Sequence, residues 1–163
     1  IWDGCDSAAW DKLYKVRLFK GRRYPFGVLH EDLNFTSKLF SESNKIVLTG
    51  MPLYNYLIRE NSICNKPFTT QKFDIYEQAK LNCQFVRDTY KELEEKAKYF
   101  LFRCTCTLLQ SASDAAQISE KDLKRVKELA RTQLSTAILN RFVPLGERKY
   151  YFELLYKVCI KKK

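Results

Sequence analysis

The 163-residue chain has no apolar run approaching the ~20 residues that a membrane-spanning helix needs. Its start lacks the basic-then-apolar pattern of a secretory signal. There is no D-x-D, no glycine-rich phosphate loop and no Walker signature, and no helix-turn-helix or RNP-like pattern that would mark a nucleic-acid module. Six cysteines are present, yet their placement argues against a disulfide framework or a zinc set. Cys83, Cys104 and Cys159 fall on apolar helical stripes, where a free thiol behaves as a small buried hydrophobe. Cys104 and Cys106 project to different helix faces, unlike zinc-ligand spacing, and Cys5 and Cys64 stand alone. Without a secretory signal such thiols stay reduced. The expected location is cytoplasmic, with peripheral attachment at the inner face of the cell membrane left open.

What is present suffices for a globular fold. Hydrophobic residues make up 45% and aromatics 14%, enough to bury a core in one domain or a domain with an appendage. The formal net charge is +10, and residues 148–163 carry six basic residues and one acid, giving +5. Half the net charge therefore sits in one terminal stretch.

The stretch from Arg23 to Ser62 concentrates the chemistry. Pro25 and Gly27 fix a tight turn, after which polar His30 can cap a helix defined by Leu33, Thr36, Leu39 and Phe40. Glu31 and Asp32 then stand in the first helical turn, where unpaired backbone N–H groups and the helix dipole favour the ionised carboxylate a general base requires. Dipole complementation alone also explains acids in that position. Ile46-Val47-Leu48, ended by Gly50 and Pro52, reads as a short buried strand. Leu53 to Ile58 alternates like a second one, placing Tyr54 and Tyr56 on a common face and Arg59 and Ser62 at its exit.

In order and spacing, several segments resemble the C-terminal half of a bacterial family-two glycosyltransferase with the GT-A fold, of the capsule and exopolysaccharide type. They are Ala9-Trp10-Asp11-Lys12-Leu13-Tyr14-Lys15, Tyr24-Pro25-Phe26-Gly27, His30-Glu31-Asp32 and Leu53-Tyr54-Asn55-Tyr56 running into Arg59-Glu60-Asn61-Ser62. The resemblance covers residues 1–70. It implies that Asp32, with Glu31 as neighbour, deprotonates an acceptor hydroxyl in an inverting attack on a nucleotide-sugar. It sets Arg59 and Ser62 on the donor diphosphate side and Lys12 and Tyr14 in structural roles. Beside these, His30 is a candidate for donor diphosphate or substrate binding, and the shared face of Tyr54 and Tyr56, which packing alone also explains, is a candidate for stacking on the acceptor. Asp11 stands where the family often has Asn. The family's donor half, with βαβ units and a D-x-D holding Mg or Mn through oxygen ligands, has no counterpart here. The chain therefore reads as a fragment of a longer enzyme, inactive alone, its metal ligands mostly elsewhere and none in this segment.

Beyond the Lys66–Thr70 linker the periodicity changes. Tyr76, Ala79, Cys83, Val86, Tyr90, Leu93, Ala97, Phe100 and Cys104 recur at steps of three and four, predicting one long amphipathic helix. Small polar residues over Ser111–Gln117 interrupt it. Ser119 with Asp122 starts a second helix running through Leu134 and Ala137, which makes Glu120-x-Asp122 a cap rather than a metal motif. In the basic tail, Tyr151, Leu154, Leu155, Val158 and Cys159 follow helical spacing, equally consistent with a docked helix and with one lying on an anionic membrane.

The expected architecture is mixed α/β (an α+β fragment): a strand-and-helix region over 1–66 completing a GT-A active site, and an α-helical extension over 67–163 with a basic amphipathic helix at 148–163. The expected partners are a nucleotide-sugar donor and a saccharide or lipid-linked acceptor, in polysaccharide biosynthesis. The competing class is a non-catalytic basic helical module for nucleic acid or an anionic membrane. Charge gathered at one end, rather than along a groove, disfavours nucleic acid.

Overall fold

The computed structural model describes residues 7–57 and 67–161. Among them every regular element is a helix, which overturns the mixed α/β expectation and its strand-and-helix region. The segments read as strands at Ile46–Leu48 and over residues 53–57, the described part of the second, are irregular and exposed, with Val47 at 67% and Leu53 at 79% accessibility. Alternating apolar residues show only that a chain fits a pleated surface. A strand also needs a neighbour to take its backbone groups. Here the backbone turns on itself instead: Leu53 N–H donates to the Met51 carbonyl at 2.9 Å, and Met51 N–H to Thr49 Oγ1 at 3.3 Å.

Among the described residues six α-helices carry the fold: α1 (Asp32–Ser41), α2 (Asp74–Thr89), α3 (Glu94–Asp114), α4 (Glu120–Arg131), α5 (Leu134–Leu139) and α6 (Leu145–Tyr156), the last continuing into a π-turn at Lys157–Lys161. The buried face of α1 is Asn34, Thr36, Ser37 and Leu39, more polar than its apolar spacing suggested. It lies along α2, with the Lys38 ammonium 5.7 Å from the centre of the Phe85 ring.

The single long helix expected from Tyr76 to Cys104 is instead a hairpin. At Tyr90 the backbone leaves the helical region (φ −136°, ψ 72°), a 3-10 turn at Lys91–Leu93 follows, and α3 folds back along α2. Each half keeps its own apolar stripe, so periodicity alone cannot tell a reversal from continuation. Glu94 and Glu95 open α3 at its positive end, both paired with Lys98 at 3.0 and 2.8 Å.

Ser119 caps α4 as its sequence indicates: Asp122 N–H donates to Ser119 Oγ at 3.1 Å, and Ser119 Oγ–H to Asp122 Oδ2 at 2.7 Å. The helix expected to run on through Ala137 breaks at Thr132 and Gln133, giving the separate α5. The Thr132 hydroxyl donates to the Leu129 carbonyl at 2.6 Å, in competition with continued helix.

The core gathers Phe73, Tyr76 and Ala79 with Phe102, Leu108, Leu109, Val126, Ala130, Tyr151, Leu154 and Val158. Tyr151, Leu154 and Val158 are fully buried, so the tail's apolar stripe is a docked face. The Tyr151 ring lies 5.2 Å from that of Phe102, and its hydroxyl donates to the Ala130 carbonyl at 2.6 Å. Arg148, counted in the basic tail, clamps the end of α5 by donating to the carbonyls of Val143, Ile138 and Asn140 at 3.0, 2.5 and 3.0 Å, the satisfaction that orphan helix-end carbonyls require.

Candidate functional site

The turn before α1 is built as its sequence implies. Gly27 adopts φ 75°, a region open to glycine without steric cost. His30 follows with φ 57°, the one non-glycine residue with positive φ among those described. The Leu29 N–H donates to Asp74 Oδ2 at 2.9 Å, so the turn is tied to the first residue of α2. His30 does not cap α1 with its side chain: Glu31 occupies the N-cap position, with no side-chain bond to the helix, and the His30 carbonyl accepts from Leu33 N–H at 3.2 Å. Asp32 occupies the first turn of α1, half-buried, at the helix end where the dipole favours a carboxylate.

Burial, reinforced by the nearby Lys72 ammonium, holds the His30 imidazole below its ordinary pKa of 6.5, against the smaller opposing effects of Glu31 and Asp74. Near neutral pH it offers a hydrogen bond rather than a positive charge.

Tyr54 and Tyr56 are gathered by Trp10. Its ring centre lies 4.4 Å from that of Tyr54 and 5.2 Å from that of Tyr56, and all three remain about half exposed. Lys12 bridges Asp11 at 2.5 Å and the Ala8 carbonyl at 2.6 Å. Tyr14 joins Phe19, Tyr24 and Phe35 in an aromatic cluster that holds the 14–24 segment on α1, and burial raises its hydroxyl pKa well above the usual tyrosine value. Arg59 and Ser62 lie outside the described residues, as do Cys5 and Cys64. Cys83, Cys104, Cys106 and Cys159 are free thiols; burial pushes Cys104 and Cys106 up to about 12, which leaves them unreactive near neutrality.

No group of three or more His, Cys, Asp or Glu among the described residues could hold a metal ion. No ligand set for the Mg or Mn of a nucleotide-sugar enzyme is thus found among the described residues.

The structure adds a feature that the sequence reading missed, an open cleft of about 650 Å³ between α3, the start of α6 and the turn before α2. Lys72, Arg103, Gln110, Asp114, Glu147 and Tyr150 line it. Its signal in the sequence was the spacing of Arg103, Gln110 and Asp114 at i, i+7 and i+11 on α3. That stripe lies beside the apolar one and reads as solvated surface until α6 is placed against it.

Part of the chain is similar to a known enzyme. The glycosyltransferase GlyA of Streptococcus pneumoniae serotype 4 (strain ATCC BAA-334 / TIGR4) is 41% identical over 56 residues, which is 34% of this chain and 8% of that protein. The matched region is thus a small part of GlyA's length. No family model matches the chain, and no solved structure does. No helix among the described residues is long and apolar enough to cross a membrane.

Proposed function

We propose that this chain is the acceptor-side portion of a family-two-type glycosyltransferase that moves a sugar from a nucleotide-sugar to a hydroxyl of a saccharide or lipid-linked acceptor, with inversion, in polysaccharide assembly. The similarity of part of the chain to a glycosyltransferase carries this reading. The geometry supports the roles. Asp32 at the positive end of α1 is the base: its carboxylate takes the acceptor hydroxyl proton as that oxygen bonds to the anomeric carbon. The bond from that carbon to the nucleotide diphosphate breaks on the opposite face, and the diphosphate leaves with the electron pair. Neutral His30 orients a sugar hydroxyl by hydrogen bonding. Its backbone φ is a costly conformation of the kind found where function constrains the chain. Arg59 and Ser62 keep the diphosphate-side role that the sequence resemblance gives them, and the aromatic face of Tyr54 and Tyr56 takes the acceptor side.

The test is nucleotide release from a panel of nucleotide-sugars, measured on the longest reading frame containing this segment. Asp32→Asn lowers turnover by about 10²–10⁴-fold, the usual worth of general base catalysis, with unchanged thermal unfolding. Normal turnover by the variant refutes the assignment.

A second reading concerns attachment. With Tyr151, Leu154 and Val158 docked, α6 and its π-turn still expose Phe152 (42%), Tyr156 (56%) and Ile160 (53%) on the opposite face, flanked by Lys149 and Lys157. Exposed aromatics beside lysines complement an anionic bilayer. Vesicles rich in phosphatidylglycerol should sediment the chain, and a Phe152→Ser/Tyr156→Ser double variant should stay in the supernatant. Equal sedimentation of both proteins counts against the reading.

A further inference from the structure

We propose that the cleft between α3 and α6 is a binding site for a neutral oligosaccharide, the acceptor chain of the transfer reaction; the choice of ligand class rests in part on the glycosyl-transfer reading above. The first argument is size. At about 650 Å³ the cleft falls within the roughly 300–1,000 Å³ typical of ligand sites. The second is charge. Lys72 and Arg103 are matched by Asp114 and Glu147, so the lining carries no net charge and offers a phosphate or nucleotide no net electrostatic attraction. A neutral ligand needs none.

The third argument is the kind and order of the polar groups. Tyr150 Oη donates to Gln110 Oε1 at 2.6 Å, and Gln110 Nε2 donates to Asp114 Oδ2 at 2.5 Å. Glu147, on the lining, accepts from Tyr99 Oη at 2.9 Å. Each of these bonds uses only part of the capacity of the side chain it reaches: an amide carries two donors, and a carboxylate about four acceptor positions. What remains is a fixed mixture of donors and acceptors, the pattern demanded by vicinal sugar hydroxyls, each of which both donates and accepts. Phe68 and Tyr150 add aromatic surface to the lining for the apolar C–H faces of pyranose rings, with the tyrosine joining a ring to a polar tip. Lys72 lines the cleft, and two residues further on Asp74 accepts from Leu29 N–H at 2.9 Å, which ties this edge of the cleft to the turn that leads into Asp32.

The experiment presents the 163-residue chain to an array of neutral and acidic oligosaccharides, then titrates the best neutral binder, uridine diphosphate and inorganic phosphate calorimetrically. Wild type is compared with Arg103→Ala and Gln110→Ala. Arg103 is exposed and Gln110 half-buried, and a thermal melt of each variant verifies its fold. The expected result is retention of neutral glycans with affinity at least tenfold weaker in both variants. Retention of acidic glycans alone, preferential binding of phosphate or uridine diphosphate, no retention at all, or affinity unchanged in both variants would each overturn the inference. Transfer that depends on Asp32, with no glycan held in the cleft, sinks this site and leaves the transfer reading standing. Glycan binding that depends on Arg103 and Gln110, in a protein without nucleotide-sugar turnover, does the reverse.

Discussion

Replacing Tyr151 decides whether the basic C-terminal helix is part of the core or a detachable surface element. The side chain is fully buried, its ring centre 5.2 Å from that of Phe102 and its hydroxyl bonded at 2.6 Å to the Ala130 carbonyl. Truncating a buried aromatic to alanine costs about 3–5 kcal/mol, a large share of the roughly 5–15 kcal/mol that holds a domain folded. Tyr151→Phe removes only the hydroxyl. The Ala130 carbonyl keeps a second donor, Gln133 N–H at 2.9 Å, so no acceptor is orphaned and the cost is about 0.5–1.5 kcal/mol. For a chain of this size each kcal/mol moves Tm by about 2–4 °C, so the alanine variant should melt roughly 6–20 °C lower and the phenylalanine variant a few degrees lower. Urea unfolding followed by far-ultraviolet circular dichroism measures both. Tyr151→Ala unfolding within 1 kcal/mol of wild type, taken as about the resolution of linear extrapolation, would show that α6 is not anchored in the core, and the docked-face reasoning would fail.

Two further outcomes follow from the site and from a cap. His30 binds its proton less readily when folded than its ordinary pKa of 6.5 implies, so the unfolded chain takes up more protons and stability falls as pH drops through 6.5 toward the folded value. His30→Asn, which tolerates the positive φ, should flatten that slope in urea midpoints compared between about pH 5 and about pH 8; an unchanged slope would assign it to other groups. Ser119→Ala removes the α4 cap and should cost about 1 kcal/mol, read from the same denaturation curves; no loss would mean that the end of α4 is held by something else.

Local chemistry was legible where it depends on few residues. The Gly27 turn and the Ser119–Asp122 cap appear where the sequence puts them, because each is decided within about four residues by backbone sterics or a single side-chain bond; α1 begins at Asp32, one residue later than a His30 cap would set it. The candidate site was legible only in part. His30, Glu31 and Asp32 arrive together because they are consecutive. Trp10, by contrast, meets Tyr54 and Tyr56 only through chain reversal, and the cleft exists only because α6 lies beside α3.

By itself, the sequence determined where single helical turns begin and which residues are apolar enough to be buried, since capping, turn geometry and the 3.6-residue period act within a few residues. Only the tertiary structure decided that Leu53–Leu57 finds no strand partner among the described residues, that the long periodic run reverses at Tyr90, and which face of the basic tail is docked. Each depends on a partner distant in sequence. An alternating segment becomes a strand only beside another strand, and an apolar stripe on a helix records that something will cover it without recording what.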